Sequence, residues 1–308
     1  MPDHEWVAYV NGDIIPEREA KVSIFDDGFM RGDAAYDSSR TFHGRIFQLE
    51  EHVDRLLRSC AYIRLDPGMG RQEILDLSEE ITRRNAVTLA PSDDMWITQR
   101  IARGVTTKEG YREGATVVIE CSMLPLAERA VAYRDGVDVC ISSVRRNPPW
   151  AQSAQAKLQS GLTLILAHLD VQERNPDAWA LLLDEDGHLA EGYGGFGFNA
   201  FIVRDGVALT PKVKSILPGI SRANVLRLAA EIGIPAREAD IDLFDVTVAE
   251  EMFLTSTSMC ILPVRSCNGR VMEATPGPVT ARLQAAYNDF VGLDIAAQSM
   301  AHLDLARA

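Results

Sequence analysis

The stretch AQAKLQSGLTLILAHLDV, residues 154–171, places a lysine, Lys157, at the head of a segment with helical hydrophobic periodicity. Lysine occurs at only five positions in this chain, and this one lies among small and apolar residues. Partial burial among such neighbours disfavours the charged ammonium and favours the free amine, which attacks carbonyl groups. A surface lysine whose stem lies along a helix while its ammonium reaches water is the alternative interpretation of this stretch alone.

A second stretch, HLAEGYGGFGFNAFIVRDG at residues 188–206, places Glu191 directly before a cluster of glycines. It follows an apolar strand predicted at residues 178–183 and a turn at residues 184–187. Dense glycine lets the backbone adopt positive φ and approach a flat ligand closely. The carboxylate beside these glycines could therefore face the ring nitrogen of a pyridine cofactor. A glycine-rich hairpin with a solvent-facing glutamate is the alternative interpretation.

Further motifs, LPGISR at residues 217–222 and LTSTS at residues 254–258, complete an ordered set with Lys157 and Glu191. This set resembles the class IV aminotransferases, which are fold-type IV enzymes that use pyridoxal 5'-phosphate. The family includes branched-chain and D-amino-acid aminotransferases, (R)-amine transaminases and aminodeoxychorismate lyases. The resemblance covers about residues 6–290, with the motifs in the order typical of the family.

The resemblance implies a two-domain α+β fold like that of D-amino-acid aminotransferase. The small N-terminal α/β domain would span residues 1–123. The larger C-terminal domain, with a β-barrel-like core that binds pyridoxal phosphate, would span residues 137–308. Residues 124–136 contain a proline, a charged middle and an Arg-Asp-Gly turn, which predicts an inter-domain linker.

Hydrophobic periodicity and turn residues predict the main elements of both domains. The predicted helices lie at residues 49–63, 71–85, 222–232 and 278–290. The predicted strands include residues 6–10, 13–15, 21–25, 96–102, 116–120 and 137–144. Residues 33–40 fit either a helix or a strand, and the sequence does not separate the two.

The resemblance assigns the central chemistry to Lys157 and Glu191. Lys157 would form a Schiff base with pyridoxal phosphate, and its freed amine would then move a proton between the substrate carbon and the cofactor carbon. Glu191 would keep the pyridine nitrogen protonated. The stretch after Glu191 is about three residues longer than is usual in the family. Tyr193 stands there at a position where a small residue is common, so the shape of this loop is open.

The resemblance also assigns a set of phosphate-binding residues. Arg55, in HVDRL, matches the family's phosphate-binding arginine, whose planar fork suits bidentate contact. The backbone amides of Ile220 and Ser221 would point at an anion from the start of a helix. Ser256 and Thr257 match a second phosphate-binding turn.

Each of these assignments has a plain structural alternative. Arg55 could instead form a surface ion pair with Glu51 or Asp54. Ser221 could serve as the helix N-cap, which is compatible with anion binding. The LTSTS stretch could form an ordinary polar turn.

Candidate substrate contacts follow from the D-amino-acid aminotransferase pattern. Tyr36, in GDAAYDSS, resembles a tyrosine whose hydroxyl lies near substrate or cofactor, although a core tyrosine is the alternative. Arg103, in IARG, matches an arginine that binds substrate carboxylate in that subgroup, and Thr257 would also contact substrate. Leu162 replaces a tyrosine typical of branched-chain enzymes. These features favour a D-amino-acid or (R)-amine enzyme over a branched-chain one.

Composition limits the remaining possibilities. The 308 residues are 46% hydrophobic, but no apolar run reaches the length of about 18 residues that a membrane span requires. The N-terminus lacks the features of a secretory signal. A net charge of −13 argues against sequence-independent nucleic-acid binding. The five scattered cysteines predict reduced thiols in the cytoplasm, and the histidines form no metal-binding pair.

The sequence therefore predicts a pyridoxal-phosphate-dependent aminotransferase that moves an amino group from an amino acid or primary amine to a 2-oxo acid. The family resemblance further implies a homodimer. An aminodeoxychorismate lyase on the same scaffold would use the same Lys157 and Glu191. A non-enzymatic binding protein on this fold is a third hypothesis, and it predicts no bond between Lys157 and the cofactor.

Overall fold

The computed structural model describes residues 5–106 and 114–307, which fall into two compact units. The first unit contains the chain up to Leu124 together with Ala156–Ser160. The second unit contains Pro125–Gln155 and the chain from Gly161 onward. Lys157 therefore belongs to the first unit, whereas the predicted boundaries placed it in the C-terminal domain. In the described ranges, no helix combines the length and hydropathy needed to cross a membrane.

The first unit is a six-stranded sheet with two long helices against one face. Its elements are β1 (Val7–Val10), β2 (Asp13–Pro16), α1 (Asp27–Arg31), β3 (Ala34–Phe42), β4 (Arg45–Ile46), α2 (Leu49–Tyr62), α3 (Arg71–Ala86), β5 (Met95–Ala102) and β6 (Thr116–Met123). The strand order is β2-β1-β6-β5-β3-β4, and every pairing is antiparallel. Residues 33–40, which the sequence left open, lie largely in strand β3. The strand predicted at residues 21–25 is wrong, because these residues form no ladder.

The two faces of this sheet differ because side chains alternate along each strand. One face buries Ile97, Ile101 and Ile119 in a core shared with α2 and α3. The opposite face carries Tyr36 and Arg100, which are direct cross-strand partners. The apolar face is thus used for folding, and the polar face is available for chemistry.

The Lys157 segment extends the edge of this sheet. Ala35 and Leu158 form an isolated antiparallel bridge, and Leu158 packs against the core of the first unit. The amide of Gln159 donates to the carbonyl of Ala34 at 2.8 Å. Lys157 is therefore extended rather than helical. The helix indicated by the periodicity of this stretch begins at Leu162, after Gly161.

The second unit contains a closed ring of strands surrounded by helices. Its elements are α4 (Leu126–Asp135), β7 (Val137–Arg145), α5 (Leu162–Gln172), β8 (Trp179–Leu183), β9 (Leu189–Tyr193), β10 (Gly197–Arg204), β11 (Val207–Pro211), α6 (Ile220–Glu231), β12 (Ala236–Ala239), α7 (Leu243–Val248), β13 (Glu251–Ser256), β14 (Cys260–Cys267), β15 (Arg270–Val271), α8 (Pro278–Val291) and α9 (Ile295–Arg307). Each strand of the ring pairs with the next in the spatial order β10-β13-β14-β7-β8-β9, and β9 pairs with β10 to close the ring. The predicted β-barrel-like core is thus confirmed.

Helix α4 occupies most of the segment that the sequence predicts as a linker. Leu126, Ala130 and Tyr133 are buried on one side of this helix. They lie where α4 packs against β14 and α9. The charged residues that suggested a linker alternate with these apolar residues at helical spacing. Helix α9 was not predicted from the sequence.

The long glycine-rich stretch after Glu191 forms an extended hairpin between β9 and β10. Tyr193 pairs with Gly197, and Glu191 pairs with Asn199. The tip is residues 194–196, where Gly195 has a φ of +87°, a value that favours glycine. The glycine-rich stretch therefore forms a regular hairpin, and Glu191 lies within its strand pair.

Candidate active site

Lys157 is held in place by its backbone. Its amide donates to the hydroxyl of Ser59 at 2.9 Å, and its carbonyl accepts from the amide of Tyr36 at 3.1 Å. The Lys157 Nζ atom lies 4.5 Å from the centroid of the Tyr36 ring. A cation over a tyrosine face is stabilised by the ring quadrupole. The amine is therefore positioned by β3, by α2 and by an aromatic side chain.

Arg55 lies in a buried cluster beneath the same strand. Its guanidinium donates to both carboxylate oxygens of Asp37, from Nε at 2.7 Å and from Nη2 at 2.8 Å. The Nδ1 atom of His52 lies 2.8 Å from the same carboxylate. Arg55 is only 3% exposed, and Asp54 pairs instead with Arg71. Arg55 is thus a buried residue, not the surface ion-pair partner of Glu51 or Asp54.

The electrostatics of this cluster depend on burial and on charge pairing. Burial alone would raise the pKa of Asp37, but the charge and hydrogen bonds of Arg55 and His52 hold that pKa well below its usual range. Burial lowers the pKa of His52, and Asp37 offsets this only in part. A neutral His52 must donate from Nδ1, because the ionised carboxylate can only accept. Its Nε2 atom is buried without a hydrogen-bond partner among the described residues.

Tyr36 lies between two cations on the open face of the sheet. The Arg100 Cζ atom is 5.5 Å from the Tyr36 ring centroid. Arg100 also donates to Glu120 at 3.0 Å and to Gln159 at 3.0 Å. The tyrosine predicted as a substrate contact is therefore half-buried beside Lys157 and is not a core residue.

Arg103, the predicted carboxylate-binding residue, is engaged within the first unit. Its guanidinium forms a bidentate pair with Asp33, in which Nη2 donates to Oδ1 at 2.9 Å. It also donates to the carbonyls of Ile63 at 2.7 Å and Arg64 at 3.1 Å, just beyond the end of α2. These contacts join the end of α2 to the start of β3. A substrate carboxylate would have to compete with Asp33 for this guanidinium.

Glu191 is buried in the second unit, and both of its oxygens are bonded. Arg146 donates from Nε to Oε1 at 2.6 Å, and the amide of Leu217 donates to Oε2 at 3.1 Å. Glu191 is 5% exposed and Arg146 is 9% exposed. A buried carboxylate needs such partners because desolvation otherwise disfavours its charge. Arg146 was missed in the sequence, where its only signal was an arginine pair at the end of a predicted strand.

Asn199 completes this arrangement from the neighbouring strand. It lies directly opposite Glu191, and its side-chain amide donates to the carbonyl of Leu217 at 3.0 Å. The amide and the carbonyl of Leu217 are thus held by two paired strands. A Cβ atom at Gly219 would lie 2.0 Å from the Asn199 Oδ1 atom, so this close approach requires glycine. The motif at residues 217–222 therefore has a defined conformation.

Two of the predicted phosphate-binding residues of the second unit, Ser221 and Ser256, are joined by a hydrogen bond. Helix α6 begins at Ile220, and its N-cap is Gly219, which offers no capping side chain. The Ser221 hydroxyl donates to the carbonyl of Ser256 at 3.0 Å and accepts from Tyr287 at 3.3 Å. The N-terminus of α6 therefore lies beside the turn that contains Ser256 and Thr257.

These groups are chemically suited to a phosphate. An uncapped helix N-terminus offers amide donors and a favourable dipole to an anion. Serine and threonine hydroxyls supply further donors from the adjacent turn. The hydroxyl of Thr255 is buried with no hydrogen-bond partner in the described ranges of the chain. The donor set of the second unit, with the buried Glu191, thus fits a phosphorylated pyridine.

One cluster outside these groups has the composition of a cation site. Asp184, Asp186 and His188 place their ligand atoms within 4.8 Å of one another in the β8–β9 turn. However, Asp184 accepts from the amides of residues 186 and 188 and from Ser215. Lys214 donates to Asp186 at 3.0 Å. These carboxylates therefore serve the turn and its neighbouring lysine.

Comparison with known proteins agrees with this chemistry. Residues 34–267 match a family model described as amino-transferase class IV. A putative branched-chain-amino-acid aminotransferase of Methanocaldococcus jannaschii is 34% identical over 284 residues, which cover 91% of this chain and 95% of that protein. The branched-chain-amino-acid aminotransferase of Escherichia coli K12 is 29% identical over 291 residues, which cover 92% of each chain.

A solved structure supports the fold. The branched-chain aminotransferase of the thermophilic archaeon Thermoproteus uzoniensis, solved with norvaline, matches with a TM-score of 0.82 at 27% identity. The match covers 93% of this chain and 95% of that chain. The prediction of a fold-type IV architecture is thereby confirmed.

The Asp37 cluster generates a prediction about pH and stability. Replacing Asp37 with Asn should lower the free energy of unfolding at pH 7 by about 3–5 kcal/mol, because Arg55 loses its buried partner. Asp37 has a folded-state pKa below its unfolded value, so its contribution is complete above an unfolded pKa of about 3.9. Below that pH the advantage of the wild type should fall by about 1.4 kcal/mol per pH unit.

Denaturant unfolding of the two proteins between pH 7 and pH 3 measures this difference. The matched control is Asp76→Asn, because Asp76 is exposed and accepts only from Gln72 among the described hydrogen bonds. A D37N protein as stable as D76N at pH 7 would contradict the assignment of a structural charge pair.

Proposed function

Because this chain belongs to the class IV aminotransferases, we propose that it transfers the amino group of a branched-chain amino acid to a 2-oxo acid. The chain is a pyridoxal-phosphate-dependent aminotransferase, and the proposal concerns its donor and the roles of its residues. The main observation in favour of a branched-chain donor is the similarity, over nine-tenths of the chain, to proteins named as branched-chain-amino-acid aminotransferases. The bonds of Arg103 to Asp33 weaken the D-amino-acid alternative, because that alternative needs Arg103 for a substrate carboxylate.

Pyridoxal phosphate, when bound, supplies an aldehyde that reacts with amines and a ring that takes up electrons. From the first unit, we assign Lys157 as the amine that bonds to it, and Arg55 as a source of positive charge for its phosphate. From the second unit, we assign Glu191 to the ring nitrogen. We assign phosphate binding in that unit to the amides of Ile220 and Ser221 and to Ser256 and Thr257. The uncapped start of α6 and the buried ion pair of Glu191 support these assignments.

We assign the proton transfer of the reaction to Lys157. Once its amine is free, Lys157 can take a proton from the substrate carbon as a general base. It can then donate the proton to the cofactor carbon as a general acid. The backbone bonds to Ser59 and Tyr36 support this role, because they fix the main chain from which the side chain extends toward the Tyr36 ring. Arg146 and the amide of Leu217 stabilise the negative charge of Glu191, which can then accept a hydrogen bond from a protonated ring nitrogen.

The substrate preference inferred from the sequence therefore changes. The D-amino-acid interpretation relied on Arg103 as a carboxylate-binding residue. Leu162 in place of a tyrosine favoured both the D-amino-acid and the (R)-amine interpretation. Arg103 could still bind substrate only if it released Asp33. We keep Tyr36 as a proposed substrate contact, since its ring lies beside the Lys157 amine. We likewise keep Thr257 as a proposed substrate contact.

The proposed function predicts a covalent bond between Lys157 and the cofactor. Borohydride reduction of the protein with pyridoxal phosphate should leave one stable adduct on the peptide that contains Lys157. The variant Lys157→Ala should form no such adduct and should lose the visible absorbance band. The control is Lys214→Ala, because Lys214 is exposed and pairs only with Glu185 and Asp186 among the described residues. An adduct that maps elsewhere in the wild type would overturn the assignment.

The donor is tested by half-reactions followed through cofactor absorbance. L-Leucine should react faster than D-alanine and (R)-1-phenylethylamine, with L-glutamate tested as a second L-donor. Faster reaction of D-alanine would restore the D-amino-acid interpretation. An aminodeoxychorismate lyase would instead release pyruvate from a chorismate-derived amine and react little with all four donors.

We also propose a homodimer in the cytoplasm. Helix α5 exposes Leu162, Ile165, Leu166 and Leu169, which share one helix face by their spacing. The first unit exposes Phe29 at 70%. Apolar surface of this kind is typical of subunit interfaces. The five cysteines are free thiols, which supports a reducing compartment.

Light scattering after size-exclusion chromatography should give the mass of two chains. Replacing Leu169 with Glu should shift the equilibrium toward the monomer, because a charge would be buried at the interface. The control is Val271→Glu, which changes another exposed apolar residue, on β15. A monomeric wild type at micromolar concentration would contradict the proposal.

A further inference from the structure

The tip of the extended β9–β10 hairpin packs into an aromatic cluster of the second unit. The Phe196 ring contacts Trp179 edge-on, with ring centroids 5.5 Å apart. A Cβ atom at Gly194 would lie 2.3 Å from the Trp179 ring, so the hairpin closes against this tryptophan only because glycine is present. The additional residues of the hairpin are thus anchored and do not form a free loop.

Phe196 also contacts an arginine of helix α4. The Arg129 Cζ atom lies 5.5 Å from the Phe196 ring centroid, within the range of a cation–π contact. Arg129 is 7% exposed, so its charge is shielded from water on most sides. The ring of Phe196 therefore helps to hold a buried guanidinium in one orientation.

Arg129 in turn holds the turn that follows β13. Its Nη1 atom donates to the carbonyl of Ser258 at 2.8 Å. One helical turn later, the Tyr133 hydroxyl donates to the carbonyl of Met259 at 2.7 Å. Side chains of helix α4 thus donate hydrogen bonds to two successive carbonyls of the turn formed by Thr257, Ser258 and Met259.

These hydrogen bonds act on Ser256, a proposed phosphate-binding residue, through one peptide group. The peptide between Ser258 and Met259 is planar, so its carbonyl and its amide point in opposite directions. The carbonyl is held by Arg129, and the Met259 amide donates to the Ser256 hydroxyl at 3.3 Å. The orientation of the Ser256 hydroxyl thus depends on the position of Arg129.

We propose that Phe196 and Arg129 are positioning residues that set the affinity of the Ser256–Thr257 turn for the phosphate of the cofactor. Phe196 acts by orienting Arg129, and Arg129 acts by orienting the turn. The inference rests on the proposed phosphate role of Ser256 and Thr257. It assigns a function to the tip of the β9–β10 hairpin. The general aminotransferase chemistry does not require this tip.

The test compares two ligands that differ only in the phosphate. The affinities of pyridoxal 5'-phosphate and of pyridoxal are measured by absorbance for the full-length protein after removal of bound cofactor. Arg129→Met should weaken binding of the phosphorylated ligand about tenfold and leave pyridoxal binding unchanged. Arg129→Lys should restore part of the loss, because it keeps a charged donor.

Phe196→Leu keeps an apolar side chain of similar size but removes the aromatic face. This substitution should weaken the binding of pyridoxal 5'-phosphate about threefold. Because Phe196 acts through Arg129, the double variant should bind no worse than Arg129→Met alone. The matched control is Arg134→Met on the same helix, since Arg134 is half exposed and pairs only with Asp135 among the described residues.

The outcomes separate this inference from the proposed function and from loss of folding. If the wild type forms no adduct at Lys157, the proposed function itself fails. If Arg129→Met weakens both ligands equally, or weakens neither, the positioning role is wrong. Thermal unfolding of each variant identifies a general loss of structure, and Arg129→Lys keeps the test valid if Arg129→Met does not fold. Additive losses in the double variant would remove Phe196 from the proposal.

Discussion

A buried carboxylate bonded to a guanidinium organises the functional residues in each of the two units. In the first unit Asp37 holds Arg55 and His52 beneath the strand that carries Tyr36. In the second unit Glu191 is bonded to Arg146. A carboxylate removed from water is costly unless it is paired and hydrogen-bonded, so each pair restricts the strands and loops that supply it.

Hydrogen bonds to the backbone then fix the positions of Lys157 and Leu217. Lys157 gains a defined position because residues 157–159 join the edge of a sheet whose other face is a packed core. Leu217 is held through both its amide and its carbonyl by the paired residues Glu191 and Asn199. In the first case strand pairing places the residue, and in the second the side chains of two paired strand residues hold it. Regular structure of this kind suits a site that must keep its geometry through a reaction.

The charged residues of this chain show why residue type alone does not assign a role. Arg55, Arg103 and Arg146 are each bonded to a carboxylate, and their partners lie 18, 70 and 45 residues away in sequence. Arg55 and Arg103 were singled out from motifs, whereas Arg146 was not. The pairing of Arg103 with Asp33 makes its guanidinium a weaker site for a substrate carboxylate. Only the folded chain shows which guanidinium is engaged.

The sequence by itself determined the family, the cofactor and most helices and strands, because ordered motifs and hydrophobic periodicity are local properties. It also singled out Lys157, Glu191 and the serine–threonine turn as candidates. The tertiary structure alone decided that Lys157 is extended, that residues 126–135 are a helix, and that the glycine-rich stretch lengthens a hairpin. It also decided the partners of Glu191 and Ser256. These depend on strand register and on contacts between distant residues, which no local pattern records.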